Sequence, residues 1–322
     1  MTASLTLGKA LNAALRRELA DDRKVLVMGE DVGALGGVFR VTDGLQKEFG
    51  ADRVLDSPLA ESALVGTAIG LALQGYRPVV EIQFDGFVYP AFDQIVSQLA
   101  KMRARSRGTV TLPVVIRIPV GGGIGAVEHH SESNEAYFAH TAGLRVVSCS
   151  HPLDGYRLLR AAIRSDDPVI FYEPKRRYWD KGEVDLGAQP ASLDRARVLR
   201  TGSDVTLVAH GPSVGVALEA AGQASCSVGV VDLRTLAPLD LPTLRRCAEA
   251  TGRVIVVHEA STFLGIGAEI AAAITESCFY ALEAPVLRVG SYHLPYPPSS
   301  AEEEFLPDVD RVLDAVDKSL AY

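Results

Sequence analysis

Hydrophobic positions along this chain follow two spacings, which predict a regular alternation of strands and helices. Short apolar runs predict buried strands, and apolar residues repeated every three or four positions predict helices between them. Because parallel strands need a crossover between them, this alternation indicates an α/β fold of doubly wound sheets with helices on both faces. The predicted strands span 24–28, 79–84, 109–118, 144–148, 168–172, 205–209, 228–232, 254–258 and 286–289. The predicted helices span 1–19, 42–49, 58–73, 90–102, 132–139, 152–164, 214–224, 241–251, 267–278 and 309–320.

The periodic pattern is interrupted between residues 173 and 193, where Lys, Arg, Asp, Gly and Pro accumulate. Such a segment is typical of an exposed connection between domains. A length of 322 residues also fits two domains, each with its own core. We therefore expect domains at 1–180 and 196–322, joined by a linker at 181–195.

The stretch from 56 to 87 contains the residue with the most informative surroundings, Glu61. Asp56 and Pro58 are typical of a helix start, with a capping side chain followed by proline in the first turn. Steps of three and four residues from Glu61 reach only apolar side chains, namely Leu64, Val65, Ala68 and Ala72. The neighbouring row has small members that would let another backbone approach, namely Ser62, Gly66, Gly70 and Gln74. Either the carboxylate is buried and needs a partner, or it lies in a solvated first turn favoured by the helix dipole.

Polar and aromatic residues follow this helix closely. The predicted strand at 79–84 places Glu81 and Gln83 on one face, opposite its apolar residues. Phe87 comes next, just before the helix that Pro90 opens. A carboxylate on a helix, an amide on a strand and an aromatic ring therefore lie in quick succession.

Composition and charge restrict the classes of function. Hydrophobic residues make up 48% of the chain, which favours large subunit interfaces, and the formal net charge is −8. That charge argues against nucleic acid or an anionic membrane as a partner. No apolar run reaches the roughly 18 residues that span a bilayer, and the N-terminus lacks a secretory signal. We therefore expect a cytoplasmic location, with the four scattered cysteines as ordinary reduced thiols.

Two glycine-rich loops and a histidine pair are candidate binding sites. The loops at 33–39 and 119–125 do not have the glycine spacing of dinucleotide or P-loop sites, so we expect flexible connections, with phosphate binding at 33–39 as a lesser alternative. His129 and His130 follow the second loop. Adjacent residues rarely bind one ion together, and no third ligand has a matching spacing, which disfavours zinc.

Three long motifs now carry a family resemblance: DSPLAESALVGTAIG, EIQFDGFVYPAFDQIVSQLAK and GAVEHHSESNEAYFAHTAGLRVV. They closely resemble the beta subunit of thiamine-diphosphate-dependent 2-oxo acid dehydrogenases, and the similarity covers essentially the whole chain. The EIQF run and FYEPKRRYW look more like the branched-chain enzyme than the pyruvate enzyme. The resemblance implies a transketolase-like pyrimidine-binding domain followed by a transketolase C-terminal-like domain. It implies oxidative decarboxylation of a 2-oxo acid and acyl transfer to a lipoyl group.

The resemblance also assigns roles to particular residues. Glu61 would hold the aminopyrimidine ring of thiamine diphosphate and promote formation of its reactive tautomer. Leu59, Gln83 and Phe87 would line the pyrimidine pocket, with Phe87 where mammalian branched-chain relatives have a tyrosine. His130 would face the substrate and the incoming lipoyl group, while His129 would point elsewhere.

A structural potassium ion is a further implication of the resemblance. Main-chain carbonyls would hold it at the corresponding positions, which are Val114, Ala162, Ile163, Ser165 and Asp167. Backbone ligation leaves little side-chain signature, so an ordinary helix-to-strand turn remains the alternative.

One motif of thiamine enzymes is incomplete in this sequence. The family holds magnesium and the diphosphate through Gly-Asp-Gly, whereas the sequences around Asp43 and Asp85 lack the first glycine. By resemblance, an alpha subunit would hold magnesium and the diphosphate, giving an α2β2 heterotetramer that shares its cofactor across the interfaces. The lipoyl acyltransferase core would be the other partner, docked by residues 292–298 and the glutamates at 302–304.

Several alternatives remain open from the sequence. They are the pyruvate dehydrogenase beta subunit, a self-sufficient transketolase-like enzyme, and a non-catalytic assembly module. His210, His258 and His293 lie at or beyond predicted strand ends, where α/β sheets bind ligands. Because the resemblance assigns this domain mainly to subunit assembly, we favour structural roles for them.

Overall fold

Strands and helices alternate along most of the chain in the computed structural model, which describes residues 2–322. The strands are β1 (Thr2–Thr6), β2 (Val25–Gly29), β3 (Val54–Asp56), β4 (Arg77–Glu81), β5 (Val115–Val120), β6 (Arg145–Ser148), β7 (Val169–Pro174), β8 (Lys181–Asp185), β9 (Arg197–Arg200), β10 (Val205–Ala209), β11 (Val228–Asp232), β12 (Thr235–Ala237), β13 (Val254–Ser261) and β14 (Leu287–Ser291). The helices are α1 (Leu7–Asp21), α2 (Leu45–Phe49), α3 (Glu61–Leu73), α4 (Met102–Arg105), α5 (Glu135–Ala139), α6 (Pro152–Arg164), α7 (Ser213–Gln223), α8 (Leu241–Thr251), α9 (Ile266–Cys278), α10 (Glu302–Phe305) and α11 (Val309–Leu320).

The larger sheet has seven strands in the order β12-β6-β7-β5-β4-β2-β3. All neighbouring pairs are parallel except β12 with β6. The central strands β2, β5 and β7 are buried along their whole length. This is what their continuous apolar sequences predict for a parallel sheet covered on both faces. The α/β fold class is confirmed.

The smaller sheet has five strands in the order β14-β13-β10-β11-β9. Strands β14, β13, β10 and β11 are parallel, and β9 joins the edge beside β11 in the antiparallel direction. The sequence located this region closely, since β10, β11, α8 and α11 have the predicted bounds. Strand β12 leaves this part of the chain and completes the larger sheet, so the two sheets are joined through a strand as well as through side-chain packing.

The N-terminus differs from its prediction. A helix was predicted from the first residue, but β1 precedes α1 and pairs antiparallel with β8, with Thr2 opposite Asp185 and Thr6 opposite Lys181. The Thr6 hydroxyl then accepts a hydrogen bond from the Lys9 backbone N–H and caps α1. Strand β8 lies inside the segment predicted as a linker, so part of that segment is paired backbone instead of an exposed connection.

The elements around the predicted helix start also differ. Helix α3 begins at Glu61 and not at Pro58, because the Asp56 carboxylate accepts a hydrogen bond from Gly33 N (2.6 Å) instead of capping the helix. Strand β4 ends at Glu81, and a 3₁₀ helix at Asp85–Ala91 contains Pro90. A π-helical segment at Gln94–Leu99 and the short α4 then replace the single helix predicted there.

Candidate active site

Glu61 lies at the start of α3, next to the end of β3. The apolar stripe predicted for this helix is buried, since Leu64, Val65, Ala68 and Ala72 are each less than a tenth exposed. Glu61 itself is half-buried, and the small-residue row beside it is exposed at Ser62 and Gly70. In the single chain, the two faces of α3 therefore differ. One face packs on the core, and the other is open.

A shallow surface cleft brings together three of the predicted site residues, Leu59, Glu61 and Gln83. Leu59 is 66% exposed and lines the same cleft as Glu61. The Gln83 amide is only loosely bound, with Nε2 3.5 Å from Glu30 O and 3.4 Å from an Asp31 carboxylate oxygen. Such contacts are at the outer limit of a hydrogen bond, so this amide can exchange them for a ligand.

Two further polar groups line or adjoin the same cleft. The Ser57 hydroxyl is buried and has no hydrogen-bond partner among the described residues. Glu30 is partly buried, and burial, with Asp31 and then Glu61 nearby, raises the pKa of its carboxyl. An apolar side chain, an uncommitted amide and hydroxyl, and two carboxyl groups therefore surround a space that one chain leaves open. Apolar, donor and acceptor groups of these kinds can hold a flat, nitrogen-containing ring.

Phe87, the fourth predicted pocket residue, lies in a neighbouring aromatic cluster with His130. The Phe87 and His130 ring centroids are 5.2 Å apart in an edge-to-face arrangement, and Phe84 lies 5.8 Å from Phe87. His130 stacks on Phe84, while His129 is exposed with its ring nearly perpendicular to that of His130. The structure thus places Phe87 with the histidine, and the 3₁₀ helix that carries it packs against α3.

A loop from residue 121 to residue 132 presents His130, and we call it the histidine loop. Gly121 N donates to Glu132 O (3.1 Å) and closes its base. Its glycines were expected to be mobile, but Gly123 N and Gly125 N each donate to the Glu302 carboxylate at 2.9 Å. Glu302 was predicted to dock a partner, and it is instead buried against this loop, whereas Glu303 and Glu304 are exposed.

Asp85, which belongs to one incomplete Gly-Asp-Gly motif, cannot serve as an open magnesium ligand. Its carboxylate is buried, pairs with the ammonium of Lys175, and accepts a hydrogen bond from Glu132 N at 2.9 Å. Burial raises the pKa of Asp85 to about 6, against the lowering effect of Lys175. Burial also lowers the pKa of Lys175. The close contact favours the ionised pair, because each charge compensates the other.

A second buried ion-pair network lies behind the cleft. The Arg117 guanidinium is fully buried and donates to Glu81 (2.6 Å) and to both oxygens of Glu173 (2.6 and 2.8 Å). Burial would lower the pKa of Arg117, but the two carboxylates outweigh it and raise the pKa. The Tyr178 hydroxyl adds a hydrogen bond to Glu173. Sequence alternation identified Glu81 but gave no sign of its partner, 36 residues away.

The first glycine-rich loop is also occupied by carboxylates of this chain. Gly33 N donates to Asp56, and a Cβ on Gly33 would lie 2.3 Å from the Asp56 carboxylate. A Cβ on Gly37 would lie 3.0 Å from the Glu81 carboxylate. A phosphate placed here would meet negative charge, so the alternative of phosphate binding at 33–39 is not supported.

Four residues of the predicted potassium site lie where α6 leads into β7, and the fifth, Val114, directly precedes β5 and accepts a hydrogen bond from Val169 N (2.9 Å). Arg77 Nη1 donates to the carbonyls of Ile163 (3.1 Å) and Ser165 (3.0 Å). The Asp167 carbonyl accepts from the Ser165 hydroxyl. A side-chain cation thus takes two of the predicted ligand oxygens, and a potassium ion would have to displace it. These residues as arranged do not fit an additional cation, and the potassium site stays a prediction.

The histidines of the second half divide into a buried pair and an exposed one. His210 and His258 are buried with ring centroids 6.3 Å apart, and His210 Nε2 lies 3.6 Å from Glu135 Oε1. Burial lowers the pKa of His210 to about 3 and that of His258 to about 4. Burial raises the pKa of Glu135 to about 7. His293 is exposed and contacts Phe263.

Residues 2–322 have neither a metal cluster nor a disulfide bond. They contain no group of three or more His, Cys, Asp or Glu side chains placed to hold a metal ion. The four cysteines are all free. None of the helices in the same range is long and apolar enough to cross a membrane.

Two family models match the chain in sequence order. Residues 3–180 match the pyrimidine-binding domain of transketolase, and residues 194–312 match the transketolase C-terminal domain. One solved structure, a split-gene transketolase described as an inactive beta4 tetramer, superposes with a TM-score of 0.80. It is 24% identical and covers 99% of both chains, so this likeness concerns the fold.

Relatives of much higher identity extend over the whole chain. A protein of Leifsonia xyli named pyruvate dehydrogenase E1 component subunit beta is 59% identical, over 99% of this chain and 96% of its own length. A protein of Mycobacterium tuberculosis named 3-methyl-2-oxobutanoate dehydrogenase subunit beta is 54% identical, over 99% and 93%. A Staphylococcus epidermidis protein, also named pyruvate dehydrogenase E1 component subunit beta, is 45% identical over 99% and 100%.

Proposed function

Since the chain belongs to the beta subunits of thiamine-diphosphate-dependent 2-oxo acid dehydrogenases, we propose that it supplies half of an active site shared with an alpha subunit. The single observation that carries this proposal is the open cleft where Leu59, Glu61 and Gln83 meet. These groups suit the aminopyrimidine ring, and nothing around them suits a diphosphate.

The cofactor and the protein would contribute different parts of the chemistry. Bound thiamine diphosphate supplies the nucleophilic carbon and the electron sink that decarboxylation of a 2-oxo acid requires. Glu61 holds a proton at a ring nitrogen of the aminopyrimidine. A partner that covers the half-buried carboxylate would desolvate it and strengthen this hydrogen bond. Glu61 is therefore proposed as the catalytic carboxylate.

The remaining predicted residues would orient the ring and the substrate. Leu59 offers apolar contact to one side of the ring, and the Gln83 amide can hydrogen-bond to its edge. Phe87 contributes a ring edge beside His130 without the hydroxyl of a tyrosine. His130 is proposed to bind the substrate or to donate a proton during acyl transfer to the lipoyl group.

The partner follows from what this chain does not offer to a diphosphate. Asp85 is committed to Lys175, and both glycine-rich loops direct their N–H groups at carboxylates of the same chain. We propose that the alpha subunit holds magnesium and the diphosphate, within an α2β2 heterotetramer in the cytoplasm. We further propose that a lipoyl acyltransferase core docks nearby, with Glu303 and Glu304 replacing Glu302 as exposed acidic contacts.

The substrate is proposed to be a branched-chain 2-oxo acid such as 3-methyl-2-oxobutanoate. The EIQF and FYEPKRRYW segments and the mycobacterial relative at 54% identity favour this assignment. Pyruvate is the second candidate, because the Leifsonia relative has the higher identity, 59%. Rates of the reconstituted pair with 3-methyl-2-oxobutanoate, 4-methyl-2-oxopentanoate and pyruvate distinguish them. A preference for pyruvate would reject the branched-chain assignment and keep the family.

The catalytic proposal is tested with Glu61→Gln, co-expressed with the alpha subunit and assayed with an artificial electron acceptor. We expect intact assembly and a loss of decarboxylation of about a hundredfold or more, the range for a positioned acid–base group. Glu276→Gln, an exposed glutamate of α9, is the matched control and should keep full activity. Full activity of Glu61→Gln would favour a non-catalytic assembly module. Turnover by the isolated chain would favour a self-sufficient transketolase-like enzyme.

A further inference from the structure

The histidine loop is anchored at both ends, at its glycines (residues 121–125, the glycine limb) and around His130. The two anchors come from different parts of the chain. On the His130 side, Glu132 N donates to the Asp85 carboxylate at 2.9 Å, and His130 stacks on Phe84. On the other side, the loop glycines contact the region that follows β14. His130 therefore occupies a segment whose path is fixed at two ends.

Glu302, the first residue of α10, is the main anchor of the glycine limb. One carboxylate oxygen accepts from Gly123 N and the other from Gly125 N, each at 2.9 Å. The Tyr296 hydroxyl donates a third hydrogen bond at 2.6 Å. Burial raises the pKa of Glu302, but these donors outweigh it, so its pKa is lowered and the carboxylate is ionised at neutral pH. Hydrogen bonds to an ionised acceptor are the strong ones.

The loop backbone fits this anchor only with glycine. Gly123 and Gly125 have φ angles of +84° and +68°, which side chains rarely adopt. A Cβ on Gly122 would lie 1.9 Å from the Tyr296 hydroxyl oxygen. Gly122 N also donates to Glu259 at 3.2 Å. The N–H groups of Gly122, Gly123 and Gly125 thus have carboxylate partners in the C-terminal region.

We propose that Glu302 is a positioning residue for His130: by fixing the glycine limb of the histidine loop, it sets where the imidazole stands for acyl transfer. This inference rests on the proposed function of His130. It assigns to the C-terminal region a part in the active site, beyond the assembly role that the family resemblance implies. Glu302 does not touch the reacting atoms, and it acts through the four residues that separate Gly125 from His130.

Glu302→Gln tests this proposal against Glu303→Gln, the exposed neighbour on the same helical turn. In Glu302→Gln, one N–H of the loop would face an amide NH₂ group and lose its acceptor. In the full chain, amide hydrogen exchange at Gly123 and Gly125 should be about tenfold faster, the change for one lost charge-assisted hydrogen bond. Glu303→Gln should exchange like the parent. Tyr296→Phe, which removes one donor to Glu302, should shift exchange in the same direction and keeps the test valid if Glu302→Gln does not fold.

The activity arm uses the chain assembled with its alpha subunit and a lipoyl domain. Acylation of the lipoyl group should fall about tenfold in Glu302→Gln, while decarboxylation with an artificial acceptor stays within about twofold. In a His130→Ala background, Glu302→Gln should cause no further loss, because both act through one group. Additive losses, or equal losses in both half-reactions, would overturn the proposal. If His130→Ala leaves the rate of lipoyl acylation unchanged, the proposed role of His130 is wrong. If His130→Ala lowers that rate and Glu302→Gln does not, only the present inference about Glu302 is rejected.

Discussion

The imidazole of His130 lies parallel to the ring of Phe84, with centroids 3.8 Å apart and planes 11° apart. The ammonium of Lys175 lies 5.9 Å from the centre of the same phenyl ring. His130 Nδ1 is buried and has no hydrogen-bond partner among the described residues. Ring stacking therefore orients this histidine and leaves that nitrogen uncommitted. A histidine held in this way can meet a substrate with little reorganisation.

Phe84→Leu removes the stacking surface and keeps an apolar side chain. We expect lipoyl acylation to fall by about two- to tenfold, because an aromatic pair contributes about 0.5–1.5 kcal/mol beyond its buried area. Phe84→Tyr should retain the stacking and the rate. Rapid-quench measurement of lipoyl acylation checks both variants. A normal rate in Phe84→Leu would show that stacking does not orient His130.

Gly70→Leu tests whether the open face of α3 is an interface. Gly70 is exposed, and a Cβ there would meet no atom within 4 Å. In the isolated chain, leucine should raise the free energy of unfolding by about 0.5–1 kcal/mol, since it forms helix better than glycine. In the assembly it should weaken association about tenfold or more, because overpacking a close contact costs about 1–3 kcal/mol. Gly222→Leu in α7 is the control, because a Cβ there also has no atom within 4 Å. It should change the free energy of unfolding of the isolated chain and leave association with the alpha subunit unchanged. Sedimentation with the alpha subunit measures association, and an unchanged affinity would remove α3 from the interface.

Glu135→Gln should change how stability depends on pH. Burial raises the pKa of Glu135 from 4.5 to about 7, so between these values the folded state keeps a proton that the unfolded state releases. Stability contributed by this group therefore falls as pH rises through that window. The variant lacks this loss, so its free energy of unfolding should rise relative to that of the parent between pH 4.5 and 7, by at most about 1.4 kcal/mol per pH unit. Above pH 7 the difference between the two proteins should stay constant. Urea unfolding at pH 5 and pH 7.5 measures this difference. An advantage that shrinks with rising pH would contradict the assignment.

Potassium should not stabilise this chain if Arg77 keeps its place on the carbonyls of Ile163 and Ser165. We expect equal melting temperatures in potassium and sodium chloride at equal ionic strength. Arg77→Met should free the two carbonyls and make stability depend on potassium. A bound ion stabilises by about 2.7 kcal/mol at a hundred times its Kd, which a melting curve resolves. A potassium-specific rise in the parent would instead show that the guanidinium yields to the ion.

Local patterns predicted much of the fold, because burial and periodicity act over a few residues. The apolar runs of β10 and β11 and the amphipathic pattern of α8 gave correct bounds. The same reasoning failed at β1 and β8, which are short, half-exposed strands that depend on pairing with each other across most of the first domain. A local sequence pattern does not show which distant segment a strand will pair with.

The site was predictable where one segment supplied its chemistry. Glu61 and Gln83 were singled out from their predicted positions on a helix and a strand. The cleft brings both together with Leu59, although β4 ends at Glu81, and their roles stay predictions. Lys175, Arg117 and Glu302 were missed, because their partners lie 90, 36 and more than 170 residues away. The acidic run at 302–304 was one available signal, because a carboxylate can accept hydrogen bonds from the free backbone N–H groups of a glycine-rich loop.

The central claim is that this chain forms the pyrimidine half of a thiamine diphosphate site and that a partner chain forms the other half. Isothermal titration of thiamine diphosphate with magnesium, into this chain alone and into the chain assembled with its alpha subunit, tests it most directly. We expect no binding to the isolated chain at cofactor concentrations that saturate the assembly, and a loss of affinity in an assembly that carries Glu61→Gln. Tight binding of thiamine diphosphate to the isolated chain would contradict it.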